Sequence, residues 1–536
     1  MALAKDNAVT ATPPKPENRP ARAKQSTWMM AGLAALAFAV CCLRSFVPPH
    51  TPLLLWGDQL GFATKGVRVL GGELPYRDFF EFVTPGTELV YALLFRLLGV
   101  SLYVPNLLMA LVAATAALWM TWCAKRLLRG IFVVLPATLL IGFVLYGSMD
   151  ATHHWFSTLA VMGAVAALFE GTSLRRVAVA GAMCGLAASF TQTKGAAVLL
   201  GLVAYLIWRS LHQKTAAAQC SRQCLLLCAA ALVVFAAING PLLLAAGAEQ
   251  WMQDVIVFPS RYFGSVSSNQ WGGFWEEFSL HRGVLKWICF PFLYLTVPLA
   301  YAGFFTTLSR RSNLEHDEPW DQLMLIAVVG VAMFLVMAPA LSIRRISCVS
   351  PPAMILLAWL LSRAGIIWAK AAGTLAAVSL GVALAQIAAI QSRRPNELEL
   401  PVGRVVVPEA ANYEVYRWMA EHTRPGQWYF GLPPLTLPLG LRNPTSIETP
   451  APGEFSRPEQ IAAAVNDLER TRTPLLVLRP AMYIPHLLGN RADHLQPFQD
   501  YVYLHYRRTK VFSNGDEVWQ RIDATDLTDR TVPTGR

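Results

Sequence analysis

Six charged side chains in this 536-residue chain have the types and settings that chemistry needs. Three are carboxylates: Asp58 in Trp56-Gly-Asp58-Gln59, Glu81 in Phe79-Phe-Glu81-Phe82, and Asp150 in Met149-Asp150-Ala-Thr-His153-His154. Three are cations: Lys194 in Thr191-Gln-Thr-Lys194-Gly195, and Arg344-Arg345 in Ser342-Ile-Arg-Arg-Ile-Ser347. A carboxylate can act as general base on a hydroxyl or amine, or hold a metal that lowers its pKa. Arginine grips a phosphate with two parallel hydrogen bonds, lysine as a point charge. Simpler readings stand beside these. Asp58 opens a helix-like stretch over 59–70 and could be its N-cap. Asp78 reads as an ordinary turn residue. Long basic side chains beside an apolar helix can snorkel to headgroups. His153 and His154 are either interfacial ring residues or substrate contacts.

The elements that carry these residues are membrane elements. Apolar residues make up 54% of the chain and charged residues 15%. A soluble domain carries about 25% charged residues, so an ordinary cytosolic enzyme is excluded, and so is an apolar-poor disordered chain. Apolar runs over 28–47, 103–122, 131–147, 155–170, 176–190, 195–209, 223–246, 285–307, 321–340, 350–363 and 366–390 predict about 11 transmembrane helices, several shorter than the ~20 residues of a usual span. The segment 86–99 is short and contains Glu88 and Arg96, which predicts a helix lying at the interface. Residues 1–26 read as a disordered basic cytoplasmic tail. A signal peptide shares the basic start and apolar core, but Cys41-Cys42-Leu43-Arg44 is a poor cleavage site.

Loop charges test this topology. With the tail inside, Lys125-Arg126…Arg129, Arg175-Arg176, Arg209…Lys214…Arg222, Arg310-Arg311 and Arg363…Lys370 all face the cytoplasm, as the positive-inside rule requires. Treating 86–99 as a span would break the pattern. The net charge of +11 is then largely topological, and no nucleic-acid partner is expected. The six charges above share the other face. Arg344-Arg345 break the charge rule there and Lys194 interrupts an apolar run, and ionisable groups at membrane depth usually mark a pathway or site.

Residues 27–391 therefore form a transmembrane domain with outer loops at 48–102 and 247–284. The second loop contains Phe258-Pro-Ser-Arg261-Tyr262-Phe-Gly264 and Asn269-Gln-Trp271-Gly-Gly273. It either closes over substrate through Arg261 and Tyr262 or belongs to the interfacial aromatic belt. Past residue 392 charges become frequent. Helices over 410–422 and 458–470 and strands over 404–407, 428–430 and 475–478 predict a small extracytoplasmic α/β domain over 392–536. No cysteine follows Cys348, so that domain has no disulfide. Cys220, Cys224 and Cys228 share a helical face without a nearby His, which favours packing over metal ligation. Outer carboxylates and outer cations fit one chemistry: a sugar leaves a lipid phosphate and joins a hydroxyl or amine.

The order of motifs carries a resemblance over 27 to about 390. Asp58 follows the first span, ahead of a helix ending in Leu70-Gly-Gly-Glu-Leu-Pro-Tyr76. Phe80-Glu81 precedes Pro85-Gly86 and an interfacial helix that closes on Leu97-Leu-Gly-Val-Ser101. Asp150 follows the third span, Thr193-Lys194-Gly195 occupies the next outer turn, and Arg345 precedes a helix with Pro351-Pro352. In these features the chain resembles the C-type membrane glycosyltransferases, family 39-like, the group of protein O-mannosyltransferases and lipid A aminoarabinose transferases. The resemblance implies a polyprenyl-phosphate-linked sugar donor, an extracytoplasmic glycan, lipid or protein acceptor, and inversion at the anomeric centre. It implies Asp58 as principal catalytic carboxylate, with Asp150 as its partner in acceptor binding or in holding a divalent metal. Lys194 and Arg345, with Arg344 beside it, would contact the lipid phosphate, and Glu81 the acceptor or phosphate region. Two departures stand out: Asp58-Gln59 where Asp-Glu is frequent, and Phe82 where a Lys can follow Phe-Glu. The expected location is the inner (cytoplasmic) membrane, multi-pass, with the N-terminus cytoplasmic. The rival readings are a transporter or lipid flippase, which predicts repeated halves with broken helices, and a membrane-anchored sensor or scaffold.

Overall fold

A computed structural model describes residues 19–522, apart from 49, 266–274, 276–277, 280–282, 311–318, 338–341, 393–395, 452–454 and 481–493. The protein is a bundle of apolar helices with a mixed α/β layer over one end. Helix α1 (Arg19–Ser45) begins inside the segment expected to be an unstructured tail. Its first turn contains Pro20, where a missing N–H costs nothing, followed by good helix formers.

Every apolar run expected to span contains a helix. They are α1, α4 (Tyr103–Leu127), α5 (Leu135–Gly147, with a π-turn at Leu140–Val144), α6 (His153–Leu168), α7 (Leu174–Phe190), α8 (Gln192–Gln213), α9 (Ala217–Ala246), α10 (Lys286–Ser309), α11 (Trp320–Leu335), the pair α12 (Ile343–Val349) and α13 (Pro351–Arg363), and α14 (Ile366–Gln391). By length and composition, 6 of the described helices can cross a membrane, or 7 if the bent pair α12–α13 counts as one span. The pair bends by 63° at Ser350, where Pro351 and Pro352 remove backbone donors. Six or seven spans is fewer than the expected number of about 11, because several of the apolar runs carry helices shorter than a usual span. Helices α5 and α11 are the shorter apolar ones. Together the helices make a multi-pass membrane protein.

Close packing in the bundle uses small residues. Helix α7 packs along α6 on one side and α9 on the other. A Cβ on Gly181 would lie 2.2 Å from the Leu227 carbonyl oxygen, and one on Gly185 2.2 Å from that of Ala231. This Gly-xxx-Gly stripe lets two backbones meet where no hydrophobic driving force separates helix from lipid. Arg44, at the end of α1, is buried and donates to the Leu145 carbonyl at 3.0 Å.

At the end of the bundle that holds the predicted outer loops, a short hairpin (β1, Phe46–Val47; β2, Thr51–Pro52) leads into α2 (Asp58–Leu70), which packs against α3 (Gly86–Leu98). Helix α3 is too short to span, as expected of 86–99. The region after α14 holds the hairpin β3 (Glu397–Leu400) and β4 (Gly403–Val406), then α15 (Ala410–His422), β5 (Tyr429–Gly431), α16 (Pro458–Thr471), β6 (Leu475–Leu478), α17 (Gln496–His505), β7 (Tyr506–Val511) and β8 (Glu517–Arg521). One sheet has the order β5-β6-β8-β7, with β5 and β6 parallel and the other pairs antiparallel. This region is joined to the bundle: Leu54 N–H donates to the Val406 carbonyl at 2.9 Å, and Phe80 N–H to that of Ser446 at 2.8 Å. The hydrophobic core of the helices continues through Leu400, Val405, Tyr416, Leu435 and Val477.

The Gly-xxx-Gly contact can be tested directly. Gly185→Val should lose about 1–3 kcal/mol through overpacking, read as a lower melting temperature in detergent, whereas a change at exposed Leu200 on α8 should leave the melt unchanged.

Candidate active site

The residues singled out by type converge on a cavity of about 540 Å³ at the end of the bundle. Asp58, Glu81, His153, His154, Lys194 and Arg345 line it. The cavity is enclosed by the start of α2, the Glu81–Val83 strap, the first turns of α6 and α8, the end of α11, and Pro433, Glu448 and Phe455 from the C-terminal region. Met333, Val336, Met337 and Val349 give it an apolar wall.

Asp58 is the first residue of α2 and does not cap it. Gly57 holds the N-cap position with φ 116°, a conformation that suits glycine, and no side chain caps the helix. The Asp58 carboxylate accepts instead from Arg344 Nη1 at 2.6 Å, across 286 residues of chain. Burial pushes the Asp58 carboxyl up, but Arg344, His153 and Arg345 together outweigh it, so its pKa lies below the usual carboxylate range. Arg344 itself is not in the cavity wall.

Asp150 stands behind this pair. Its carboxylate accepts from Ser148 Oγ at 3.4 Å and Thr152 Oγ1 at 3.1 Å. Burial pushes its carboxyl up to about 6, with Arg344 opposing and Asp58 adding. The loop that carries it is pinned by the residue next to Asp58: Ala151 N–H donates to Gln59 Oε1 at 2.7 Å. Gln59 Nε2 donates to Asn106 Oδ1 at 3.4 Å, and Asn106 Nδ2 reaches the Ser45 and Leu53 carbonyls, both at 3.0 Å. Gln59, one of the two departures from the family pattern, is thus the hinge pin between the two aspartates.

Lys194 is 3% exposed. Its ammonium donates to the His154 carbonyl at 2.8 Å and Thr158 Oγ1 at 3.1 Å. Both acceptors are neutral, and among the described residues no carboxylate forms an ion pair with it. Arg345 places its guanidinium 5.3 Å from the Phe263 ring centroid. The His153 and His154 rings lie 3.9 Å apart, and His153 also packs on Phe62. A buried cation without an anion is expensive unless a ligand supplies one.

Glu81 has a partner that the sequence reading overlooked. Lys65 Nζ meets Glu81 Oε2 at 2.5 Å, while Phe82 and Val83 N–H donate to Glu81 Oε1. Asp58, Phe62 and Lys65 recur at helical spacing on α2, which was the available signal. Where a Lys could follow Phe-Glu, this chain has Phe82 and brings a lysine from α2 instead. Burial pushes Glu81 up, but the Lys65 ammonium beside it holds it below its usual range. Glu88, fully buried, is pushed well above the carboxylate range by burial and by Glu81. Glu88, one of the two charges that marked 86–99 as an interfacial helix, faces inward and is buried.

Arg261 and Tyr262 stand beside the cavity, between Pro259 and Phe263, which line it; neither is in the wall. Arg261 packs on the Tyr262 ring. Asn269, Trp271 and Gly273 lie outside the described residues. For a metal, the two aspartates are a poor fit: Asp58 is bound to a guanidinium, and among the described residues no three His, Cys, Asp or Glu converge as ligands. The same holds for Cys220, Cys224 and Cys228.

Solved structures share this architecture. ArnT from Cupriavidus metallidurans bound to undecaprenyl phosphate matches over 94% of this chain and 99% of its own, with TM-score 0.56 and 15% identity. Its apo form gives TM-score 0.58 at 15% identity, over 93% and 98%. The archaeal oligosaccharyltransferase AglB from Archaeoglobus fulgidus, in complex with an inhibitory peptide and a dolichol-phosphate, gives 0.52 at 13% identity, over 95% and 75%. The chain has the GT-C glycosyltransferase fold. No sequence-family model and no curated protein matches the chain by sequence. In this GT-C fold the α/β region after α14 supplies part of the cavity wall, through Pro433, Glu448 and Phe455, a role that its sequence did not suggest.

The Asp150 carboxyl gives a pH prediction. Its ordinary value is 3.8 and its folded value about 6, so between these values the folded state holds more protons and stability falls as pH rises. Asp150→Asn has no such cost. Its melting temperature relative to wild type should therefore rise between pH 4 and pH 6.5, and a pH-independent difference would contradict the assignment.

Proposed function

We propose that the protein is a glycosyltransferase that moves a sugar from a polyprenyl-phosphate-linked donor to an acceptor outside the cytoplasm, with inversion. The observation that carries this reading is Lys194: a buried cation that no carboxylate among the described residues pairs with, in a cavity shared with Asp58 and Arg345 and walled by Met333, Val336, Met337 and Val349. That combination suits a phosphate joined to an apolar chain. The fold supports it, since ArnT with this fold binds undecaprenyl phosphate and AglB binds a dolichol-phosphate.

In this mechanism the acceptor oxygen or nitrogen attacks the anomeric carbon from the side opposite the phosphate. The carbon–oxygen bond to the phosphate breaks and its electron pair leaves on the phosphate oxygen. Lys194 and Arg345 stabilise that charge. Asp58 orients the acceptor and takes its proton as the new bond forms. Its lowered pKa makes it a weak base, so orientation is the larger part of its role. Arg344 fixes the carboxylate, and Asp150 completes the acceptor side. His153 and His154 border the sugar between the two groups.

In this reading the cavity end of the bundle faces outward across the inner membrane, residues 27–391 form the membrane domain and residues 392–536 the outer domain. The acceptor is a glycan, lipid or protein. A transporter would instead need broken helices in matching positions of two halves, and one bent pair occurs among the described helices.

Two variants test the reading with a polyprenyl-phosphate sugar donor in detergent. Asp58→Asn should lower kcat by about 10²–10⁴-fold. Lys194→Met should weaken binding of polyprenyl phosphate by about 10-fold, the loss of one charge-assisted contact. Wild-type transfer by a folded Asp58→Asn protein would refute the catalytic assignment.

A further inference from the structure

The C-terminal region sends one carboxylate into the cavity, and nothing above gives it a role. Glu448 lines the cavity, with its side chain 19% exposed. Among the described residues neither carboxylate oxygen has a hydrogen-bond partner. The nearest cation is Arg68, whose Nη1 is 3.5 Å from Oε1, outside hydrogen-bond geometry. Arg68 is more closely held by Glu73 at 2.7 Å and by the Thr445 carbonyl at 3.1 Å. Glu448 therefore retains most of its accepting capacity. A buried carboxylate with unfilled acceptors is costly, and native structures rarely keep one without a use.

The turn that presents Glu448 is built to hold it still. Asn443 Nδ2 donates to the Ile447 carbonyl at 2.7 Å, and Thr445 Oγ1 donates to the same oxygen at 2.6 Å. The Ser446 carbonyl accepts from Phe80, next to Glu81. The turn is thus tied to the strap that carries the other cavity carboxylate. Around it the wall is aromatic. Phe82 lies 5.4 Å from Phe263 and 5.8 Å from Phe455 by ring centroids, and all three line the cavity. Lys65 and Glu81 complete this part of the wall.

Carboxylate acceptors, one ammonium donor and flat apolar rings together recognise a polyhydroxylated ring. Vicinal hydroxyls donate to the carboxylate, the ammonium donates to a ring or hydroxyl oxygen, and the C–H face of the sugar packs on the aromatic rings. We infer that Glu448, with Phe455, forms a sugar-binding subsite contributed by the C-terminal region, and that it sets which sugar the protein accepts. The inference rests on the glycosyltransferase reading for its reaction, but the ring could be that of the donor or of a glycan acceptor.

The test uses the full-length protein in detergent, with Glu448→Gln and Phe455→Leu. Glutamine keeps the shape and an acceptor toward Arg68, so the melting temperature should stay at the wild-type value. KM should rise about 10-fold for one sugar-bearing substrate, the loss of a charge-assisted hydrogen bond, with a smaller change in kcat. Varying donor and acceptor separately shows which sugar is held. Affinity for polyprenyl phosphate without a sugar should not change. Unchanged KM values for both substrates, or an equal loss with the sugar-free lipid, would overturn the subsite. If the wild type transfers no lipid-linked sugar, saturation-transfer NMR with methyl glycosides decides separately. A signal lost in Glu448→Gln upholds the subsite while the transferase reading falls, and no signal from the wild type overturns the subsite.

Discussion

A chain of buried amides holds the two aspartates in register. Asn106, on α4, donates to the carbonyls of Ser45 and Leu53, and so fixes how the chain leaves α1. It accepts from Gln59, which in turn holds Ala151. Three segments distant in sequence meet through neutral groups that satisfy one another. Neutrality matters here. A glutamate at 59 would bring a third carboxylate next to Asp58 and Asp150, where like charges raise each other's pKa. Glutamine keeps the tether without adding that charge, which leaves the electrostatics of the site to Asp58, Asp150 and Arg344.

Charge in the cavity is distributed unevenly, and the unevenness is what makes it a site. Asp58 has Arg344, and Glu81 has Lys65. These pairs are balanced internally and hold their geometry without substrate. Among the described residues Lys194 is held by a carbonyl and a hydroxyl. Under the proposed function, a phosphate that enters completes the balance, so binding energy and charge neutralisation arrive together. Were Lys194 paired with a carboxylate, the phosphate would have to displace it.

Much of this could be read from the residues. The helices fall on the apolar runs because lipid leaves no other arrangement for a backbone without water. Asp58, Glu81, His153, His154, Lys194 and Arg345 were visible because each is a charge or an imidazole where an apolar residue is expected. Lys65 and Glu448 were hidden because both lie in segments already polar, where a charge carries no surprise. The run over 350–363 is helix α13, but the short helix α12 ahead of it and the 63° bend between them were not read from the sequence, although Pro351-Pro352 stand at that point. Strands β7 and β8 escaped notice because β7 shows no apolar–polar alternation: Arg507, Arg508 and Thr509 are exposed in a row, with a register shift between Arg508 and Lys510. The role of Arg344 is a pairing across the whole fold, and single-sequence spacing holds no trace of it.

The α/β region is best understood as a wall of the site rather than a neighbour of it. Phe80 packs against the second hydrophobic cluster, which contains Leu468, Phe498 and Trp519, while the next residue, Glu81, lines the cavity. A shift of that cluster would move the strap, and with it the Lys65 ion pair and the aromatic ring of Phe82. The membrane helices alone would leave the cavity open where Pro433, Glu448 and Phe455 now stand. Under the proposed function, phosphate chemistry is anchored in the bundle, at Lys194 and Arg345, and recognition of what surrounds the phosphate is shared with residues that the membrane does not constrain. Such a division would let the wall that reads the substrate change while the helices that bind the phosphate stay as they are.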